Sequence, residues 1–281
     1  MKNETHKIAI ISLGSIGRRH IRLIKKYYPK IRIVLVRIAN AKSWPEEVMA
    51  DTVVPSVECA IKEGVDGAII CSPASFHLEH AKLFIKQGLA VLIEKPLSNN
   101  LISAKIFQEA QYADNKLIML GYVFRHSVTA NKIKSLINSG ELGKILAVDI
   151  KCKSNLTDWR PGMDYRQSVS ANRKLGGGVL LELSHEIDYA SWFFGPLEVV
   201  TAHVESSGFL DAAVEDIANL QMKGRDNIQL NICLSFSSKE LKRHCEISTE
   251  KGSLIWDLNT EKISWKPLDG KSEIWFGALS R

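Results

Sequence analysis

Residues 7–20, KIAIISLGSIGRRH, constrain the fold more than any other stretch of the chain. Lys7 to Leu13 is a short apolar run rich in β-branched residues, the composition of a buried strand. Gly14, Ser15, Ile16 and Gly17 make a tight turn. From Arg18 onward Ile21, Ile24 and Tyr28 recur at helical spacing, with Leu23 and Tyr27 beside them. Strand, glycine turn and helix in that order form a crossover suited to a dinucleotide. Gly14 lets the backbone approach a pyrophosphate, Gly17 lets helix and strand pack closely, and the helix N-terminus faces the phosphates. Ser12 stands where the full fingerprint has its first glycine, and a structural tight turn is the alternative reading.

With 281 residues the chain has room for two domains, and 45% hydrophobic with 24% charged content is an ordinary globular mix. No apolar run is long enough to cross a bilayer. The polar start MKNETHKIAI lacks the apolar core of a signal peptide, which reads as a cytoplasmic protein. Cys59, Cys71, Cys152, Cys233 and Cys245 form no C-x-x-C pair, so free thiols in a reducing compartment are expected. Cys71, at the end of an apolar run, reads as a small core residue. The net charge is +6, but the basic residues are scattered and not interleaved with aromatics, which argues against nucleic acid and fits anionic cofactors or substrates.

Beyond the first helix, Ile31–Val36 reads as a second strand, and Arg37 follows about twenty residues past Gly17, where this crossover reads the adenosine ribose. An acidic residue there favours NAD, but none appears before Glu46. Arg37 can pair with a 2′-phosphate, which tips the reading toward NADP, or it is a solvent-facing strand end. Strands at 51–54, 67–72, 89–93 and 116–122 alternate with helices at 56–63, 75–87 and 101–114, the last capped by Ser98 or Asn100. That alternation predicts a parallel sheet with helices on both faces. An amphipathic helix at 127–139 then gives way to strands at 145–153, 198–205, 217–222, 228–236, 245–249, 253–257 and 262–265, interrupted by one helix at 182–194. Gly224-Arg225-Asp226-Asn227 is a hairpin turn, and successive hairpins predict an antiparallel sheet. The boundary falls near Tyr122, giving domains 1–122 and 123–281.

Several groups carry chemistry in this pattern. Glu94-Lys95-Pro96 closes a parallel strand at the end where such sheets bind ligands, and a lysine there donates to a hydroxyl or carbonyl. Ser72-Pro73 opens the loop of the neighbouring strand. His77 and His80, at i and i+3, have no further ligand cluster, so no metal is expected, and His77 falls near the cofactor loop. Gly176-Gly177-Gly178 allows close backbone approach, and the expected helix after it presents Glu182, His185 and Asp188 at i, i+3 and i+6. His185 is the best general acid/base, because an imidazole titrates near neutrality. Asp158-Trp159-Arg160-Pro161-Gly162 and Asp164-Tyr165-Arg166 mix aromatics with arginines, as a site for a hydroxylated or anionic ligand does.

Together these pieces resemble a family. Gly14-x-Ile16-Gly17-Arg18-x-His20, Glu94-Lys95-Pro96, the Ser139–Ile145 segment SGELGKI and the triple glycine followed by His185-x-x-Asp188 look like the family of glucose–fructose oxidoreductase, inositol dehydrogenase and MocA. The DWRPG…YR and LELSHEIDY stretches resemble a branch found with bacterial surface-sugar biosynthesis. The resemblance implies an α/β fold: an N-terminal doubly wound Rossmann sheet plus a C-terminal α+β domain with an open, mainly antiparallel sheet. That sheet's face is implied to build a homodimer or homotetramer. The chain departs from the pattern at Ser12, at Leu181 where relatives carry an aspartate four residues before the histidine, and after Trp275, so it reads as short at its C-terminus, with stability or assembly expected to suffer.

The function implied is hydride transfer between NAD or NADP and a sugar or nucleotide sugar, with no membrane or nucleic-acid partner. Lys95 and His185 are implied as the catalytic pair. Gly14, Ser15, Ile16, Gly17, Arg37, Ser72, Pro73, His77, Glu94 and Lys95 are expected at the cofactor. Arg125, Trp159, Arg160, Tyr165, Glu182 and Asp188 are expected at the substrate. An NAD-dependent glycosidase and a dinucleotide sensor without chemistry are the alternatives.

Overall fold

The computed structural model describes residues 6–37, 42–114 and 117–277. Lys116, where the last strand of the first half was expected to begin, and the chain ends at 1–5 and 278–281 lie outside them. The chain divides into two compact units. One takes in the chain up to Gly121 together with Lys174–Gly176, and the other takes in Tyr122–Arg173 and the chain from Gly177.

In the first unit, runs of β-branched residues become β1 (Lys7–Ile11), β2 (Arg32–Val36), β3 (Thr52–Val54), β4 (Gly67–Ile70), β5 (Ala90–Ile93) and β6 (Ile118–Leu120). They lie in the order β3-β2-β1-β4-β5-β6, and every neighbouring pair is parallel. Helices α1 (Ser15–Tyr27), α2 (Val57–Lys62), α3 (His77–Lys86) and α4 (Leu101–Asp114) connect them. Each sheet face has its own apolar cluster: Ile10, Ile33 and Leu35 pack with Ile21 of α1, while Ile11, Ile70 and Ile93 pack with Phe84 of α3 and Phe107 of α4. Burial on both faces explains why these strands are continuously apolar. Between β1 and β4 the order reverses, which opens a crevice at their carboxyl ends. Asn100 caps α4, its Oδ1 accepting from the Ser103 N–H at 2.9 Å.

The second unit begins with α5 (Val128–Ser139), capped by Ser127 and ended by Gly140 at φ 72°. Then come β7 (Ile145–Asn155), α6 (Val179–Glu182), α7 (Ser184–Phe194) and β8 (Glu198–Glu205). The remaining strands are β9 (Ile217–Lys223), β10 (Gln229–Ser235), β11 (Ser237–Thr249), β12 (Gly252–Asp257), β13 (Lys262–Pro267) and β14 (Glu273–Phe276). Their order is β14-β13-β12-β11-β7-β10-β9-β8, antiparallel throughout except for the parallel β7–β10 pair. Alternate residues of the strands and the inner faces of α5 and α7 share one core, in which Tyr189, Phe193, Phe194, Phe236 and Trp256 are fully buried. Each such side chain contributes about 1.5–3 kcal/mol or more. The other sheet face is polar: Asn231 donates to Asp149 at 3.2 Å, and Thr201 donates to Gln221 at 2.9 Å.

Three local expectations are corrected. β11 begins at Ser237 and not near Cys245, because its first half, SSKELKRH, is polar and gives no alternating apolar signal. β14 was not anticipated; it pairs with β13 at the sheet edge. The helix expected over 182–194 is two helices, broken at Leu183 with φ −99° and ψ 25°. Glu182 therefore ends α6 and does not share the α7 face with His185 and Asp188.

Candidate active site

The phosphate turn is built by close packing. α1 begins at Ser15, with Gly14 as an N-cap that makes no side-chain bond, and its first turn carries no acidic residue. Its first N–H groups and positive dipole end are thus available to an anion. A Cβ added to Gly17 would stand 2.3 Å from the Ser12 carbonyl oxygen, and one added to Gly14 would meet nothing within 4 Å. Glycine is obligatory at 17 and leaves open space at 14, so the residues present fit a dinucleotide pyrophosphate.

The ribose end is more crowded than the sequence implied. Arg37 is not a free strand-end cation: its Nη1 lies 3.3 Å from Glu47 Oε2, and its Nη2 donates to the Lys42 carbonyl at 2.6 Å. The Arg18 guanidinium sits 3.8 Å over the Trp44 ring, and the Lys42 ammonium 4.5 Å over the same ring. Arg18 and Arg22 both face the buried Glu46. Trp44 and Glu46 were missed as site residues because their placement depends on the fold around α1.

Three distant pieces of sequence meet at the carboxyl ends of β4 and β5. A Cβ on Gly17 would contact the Cys71 Cβ at 3.5 Å, and His20 of α1 is 2.7 Å from Glu94 Oε1. Glu94 is buried against Gly121, where an added Cβ would meet Glu94 Oε2 at 2.8 Å. Lys95 is half-buried immediately after it, and the Lys95–Pro96 peptide is cis. His77 is 1% exposed, with Nδ1 2.8 Å from the Pro96 carbonyl oxygen and Nε2 2.7 Å from that of Ser72. Both ring nitrogens thus face main chain. His80 Nδ1 lies 2.9 Å from Ser72 Oγ. Burial pushes the Cys71 thiol pKa well up, in keeping with a core residue.

The triple glycine answers to three separate crowding problems. At Gly176 an added Cβ would meet Ala74 Cβ at 2.7 Å. At Gly177 it would meet the Val169 carbonyl oxygen at 2.4 Å, and at Gly178, where φ is 110°, Glu215 Oε1 at 2.2 Å. Only glycine allows all three approaches.

In the second unit, His185 lies in the first turn of α7. The Tyr122 ring meets it edge-on at 5.6 Å between centroids, and Phe124 packs on it at 5.1 Å. Burial, followed by the nearby Asp188 carboxylate, pushes the Tyr122 pKa up. Arg125 Nε and Nη2 donate to both oxygens of Asp188 at 2.7–3.2 Å. Those hydrogen bonds raise the Arg125 pKa further. Directly behind, Arg243 donates from Nε and Nη2 to the fully buried Glu186 at 2.6 and 3.1 Å, while its guanidinium lies 4.7 Å over Phe124. Tyr122, Phe124 and this ion pair were not anticipated, since Arg243 reaches Glu186 only through β11.

The aromatic–arginine segment is anchored within its own unit. Trp159 Nε1 donates to Ser154 Oγ at 2.9 Å and its ring packs on Phe236. The Tyr165 hydroxyl accepts from the Asp211 N–H at 2.9 Å. Arg160 lines a small depression with Leu156, Trp159 and Ser168. Arg166 is paired with Asp164 and Asp211 at the surface.

Residues 6–122 match the oxidoreductase family with an NAD-binding Rossmann fold, and residues 130–255 match the Gfo/Idh/MocA C-terminal domain. The chain belongs to the Gfo/Idh/MocA oxidoreductase family. Among Gfo/Idh/MocA relatives, an inositol 2-dehydrogenase of Streptomyces avermitilis is 29% identical over 194 residues, which is 67% of this chain and 53% of that one. The match thus spans about half of that relative's length. A glucose-6-phosphate 3-dehydrogenase of Bacillus subtilis is 27% identical over 87% of this chain and 71% of its own. The Gfo/Idh/MocA fold is shared with the WlbA dehydrogenase of Chromobacterium violaceum, solved with NADH and UDP-GlcNAcA, at TM-score 0.83 and 20% identity over 96% of this chain and 80% of that one. It is shared as well with KijD10, a 3-ketoreductase of Actinomadura kijaniata solved with NADP, at TM-score 0.81 and 18% identity over 97% and 84% of the two chains.

Proposed function

We propose that the chain is an NAD(P)-dependent oxidoreductase that moves a hydride between a nicotinamide cofactor and a hydroxyl or carbonyl of a sugar or nucleotide sugar. The observation that carries this reading is the setting of Lys95. It follows the carboxyl end of β5, an internal parallel strand, between two anchored neighbours, Glu94 and Pro96, in a unit whose α1 begins uncapped. The sugar-dehydrogenase names of the relatives support the substrate class.

The nicotinamide ring, when bound, supplies or accepts the hydride. Gly14, Ser15, Ile16 and Gly17 hold the pyrophosphate with the N–H groups of the α1 start. Ser72 and Pro73 border the same crevice. Lys95 donates a hydrogen bond to the reacting oxygen of the substrate. His185 takes the hydroxyl proton in oxidation and returns it in reduction. Arg125, held by Asp188, orients sugar hydroxyls or an anionic group, with Trp159, Arg160, Tyr165 and Glu182 as further substrate contacts.

Arg37 keeps NADP as the favoured cofactor in this reading, with a 2′-phosphate taking the place of Glu47 as its partner. Arg37→Ala is then expected to weaken NADPH binding at least tenfold and NADH binding less than twofold, measured by titration. Equal losses would restore NAD as the better reading. The five free thiols fit a reducing cytoplasm. Self-association through the polar sheet face, checked by light scattering, completes the proposal, and a monomeric mass removes that part of it.

The main test follows absorbance of the reduced nicotinamide with a panel of sugars and nucleotide sugars. Turnover by the wild type, with kcat lowered about 10²–10⁴-fold in Lys95→Ala and in His185→Ala, is the expected result. Full turnover in both variants rejects the roles. Tight dinucleotide binding with no turnover on any substrate favours the sensor.

A further inference from the structure

The last ladder bond between β4 and β5 runs from the Glu94 N–H to the Ile70 carbonyl at 3.0 Å. Beyond it the two chains part into the loops that carry Ser72-Pro73 and Lys95-Pro96, which is how the sheet opens for a ligand. One buried side chain spans the opening. His77 is the first residue of α3, so its contact with Ser72 is local, whereas its Nδ1 contact with Pro96 crosses from one loop to the other. Lys95 thus has a fixed neighbour on each side: Glu94 is held by His20 and by the space at Gly121, and Pro96 is held by His77.

We propose that His77 is a positioning residue for Lys95, acting through an Nδ1–H donated to the Pro96 carbonyl. This rests on the reading of Lys95 given above for its consequence in turnover, but not for its geometry. A carbonyl only accepts, so the cross-tie requires a proton on Nδ1. A neutral imidazole has one N–H and His77 faces two carbonyls, so both bonds form together only when the ring takes a second proton. The groups around the ring act in both directions. Their sum lowers its pKa: burial is the largest influence and His80 adds to it, outweighing the two carbonyls and the Glu94 carboxylate, which favour a charge. The cross-tie is common to the Nδ1–H neutral form and the imidazolium, and deprotonation of Nε2 releases only the local bond to Ser72. A ring locked in this way fixes a catalytic amine more closely than loop backbone alone does.

The test uses the full chain, labelled with ¹⁵N-histidine and free of cofactor, and reads the protonation of each His77 ring nitrogen by long-range ¹⁵N–¹H spectra from pH 5.5 to 8. Protonated Nδ1 throughout is the expected result, and a bare Nδ1 overturns the proposal without any variant having to fold. In a second measurement, His77→Leu is expected to shift the Lys95 and Leu97 amide resonances and to speed their hydrogen exchange at least tenfold. His77→Gln, which keeps a donor, restores part of the protection. Unchanged amides in His77→Leu also overturn it. In turnover, the positioning role predicts that kcat falls at least tenfold in His77→Leu while the dinucleotide Kd moves less than threefold. Parallel losses in the two mark the ring as a cofactor contact and reject positioning. If Lys95→Ala keeps full turnover, the catalytic reading fails while the ring measurements still decide the cross-tie.

Discussion

The Ser12 carbonyl oxygen and the Gly17 α-carbon lie so close that no side chain fits between them, and Ser12 reaches this position at φ 79°. A serine in that region carries a steric cost that a glycine does not. Ser12→Gly is therefore expected to stabilise the protein by up to about 1 kcal/mol, seen as a rise of about 2–4 °C in Tm, with dinucleotide affinity kept or improved. Gly17→Ala is expected to cost about 1–3 kcal/mol, because the atom it strikes is main chain, and to weaken dinucleotide binding. A Gly17→Ala protein as stable as wild type contradicts the packing described.

Glu186, fully buried, and half-buried Arg243 form an ion pair beneath the aromatic support of His185. Burial works against the Arg243 charge, yet the Glu186 carboxylate raises its pKa overall. Removing Arg243 strands a fully buried carboxylate, so Arg243→Met is expected to cost about 3–5 kcal/mol in denaturant unfolding, and Glu186→Gln less, because the Arg243 side chain is partly exposed to water. The double variant is expected to be less damaged than the sum of the two. Strict additivity shows that the groups do not interact.

His80 sets a pH dependence whose sign is fixed. Burial lowers its folded pKa below the ordinary 6.5. The unfolded chain therefore takes up a proton near 6.5 that the folded chain refuses, and stability declines as pH falls below 6.5 until the lower folded value is passed. His80→Gln is expected to reduce the slope of the unfolding free energy over that interval, with His77 and His244, whose pKa values are also lowered by burial, supplying the remainder. An undiminished acid slope in the variant places the titration elsewhere.

The Cys152 thiol, pushed up to about 12 by burial and then by Glu186, is expected to stay unreactive to alkylating reagents at pH 8 in the folded state. Half-buried Cys59 and Cys233 are expected to react first, and peptide mass mapping checks the order. Early labelling of Cys152 means that the core around Glu186 opens.

Much of the candidate site was legible in the sequence because short-range chemistry fixes it. The strand–glycine–helix run at 7–27 and the Asn100 cap depend on residues within a few positions of one another. The helix break at Leu183 was not legible, because Leu-Glu-Leu-Ser has no proline or glycine to announce it. Neither was the polar half of β11, which pairs with β7 at Ser237 and again from Lys242 across a register shift, without apolar alternation. His77 and His80 look alike in sequence, and only burial separates a ring facing two carbonyls from one facing a serine hydroxyl.

The sequence alone determined that the chain has a parallel sheet followed by a mainly antiparallel one, and which residues carry titratable chemistry, since period and turn composition are local properties. Tertiary structure decided which of those groups meet. His20 with Glu94, His77 with Pro96, Arg125 with Asp188 and Arg243 with Glu186 are separated by 19 to 74 positions. Hydrogen bonds over such separations exist only once strand order and burial have brought their partners into range, and no local pattern encodes that.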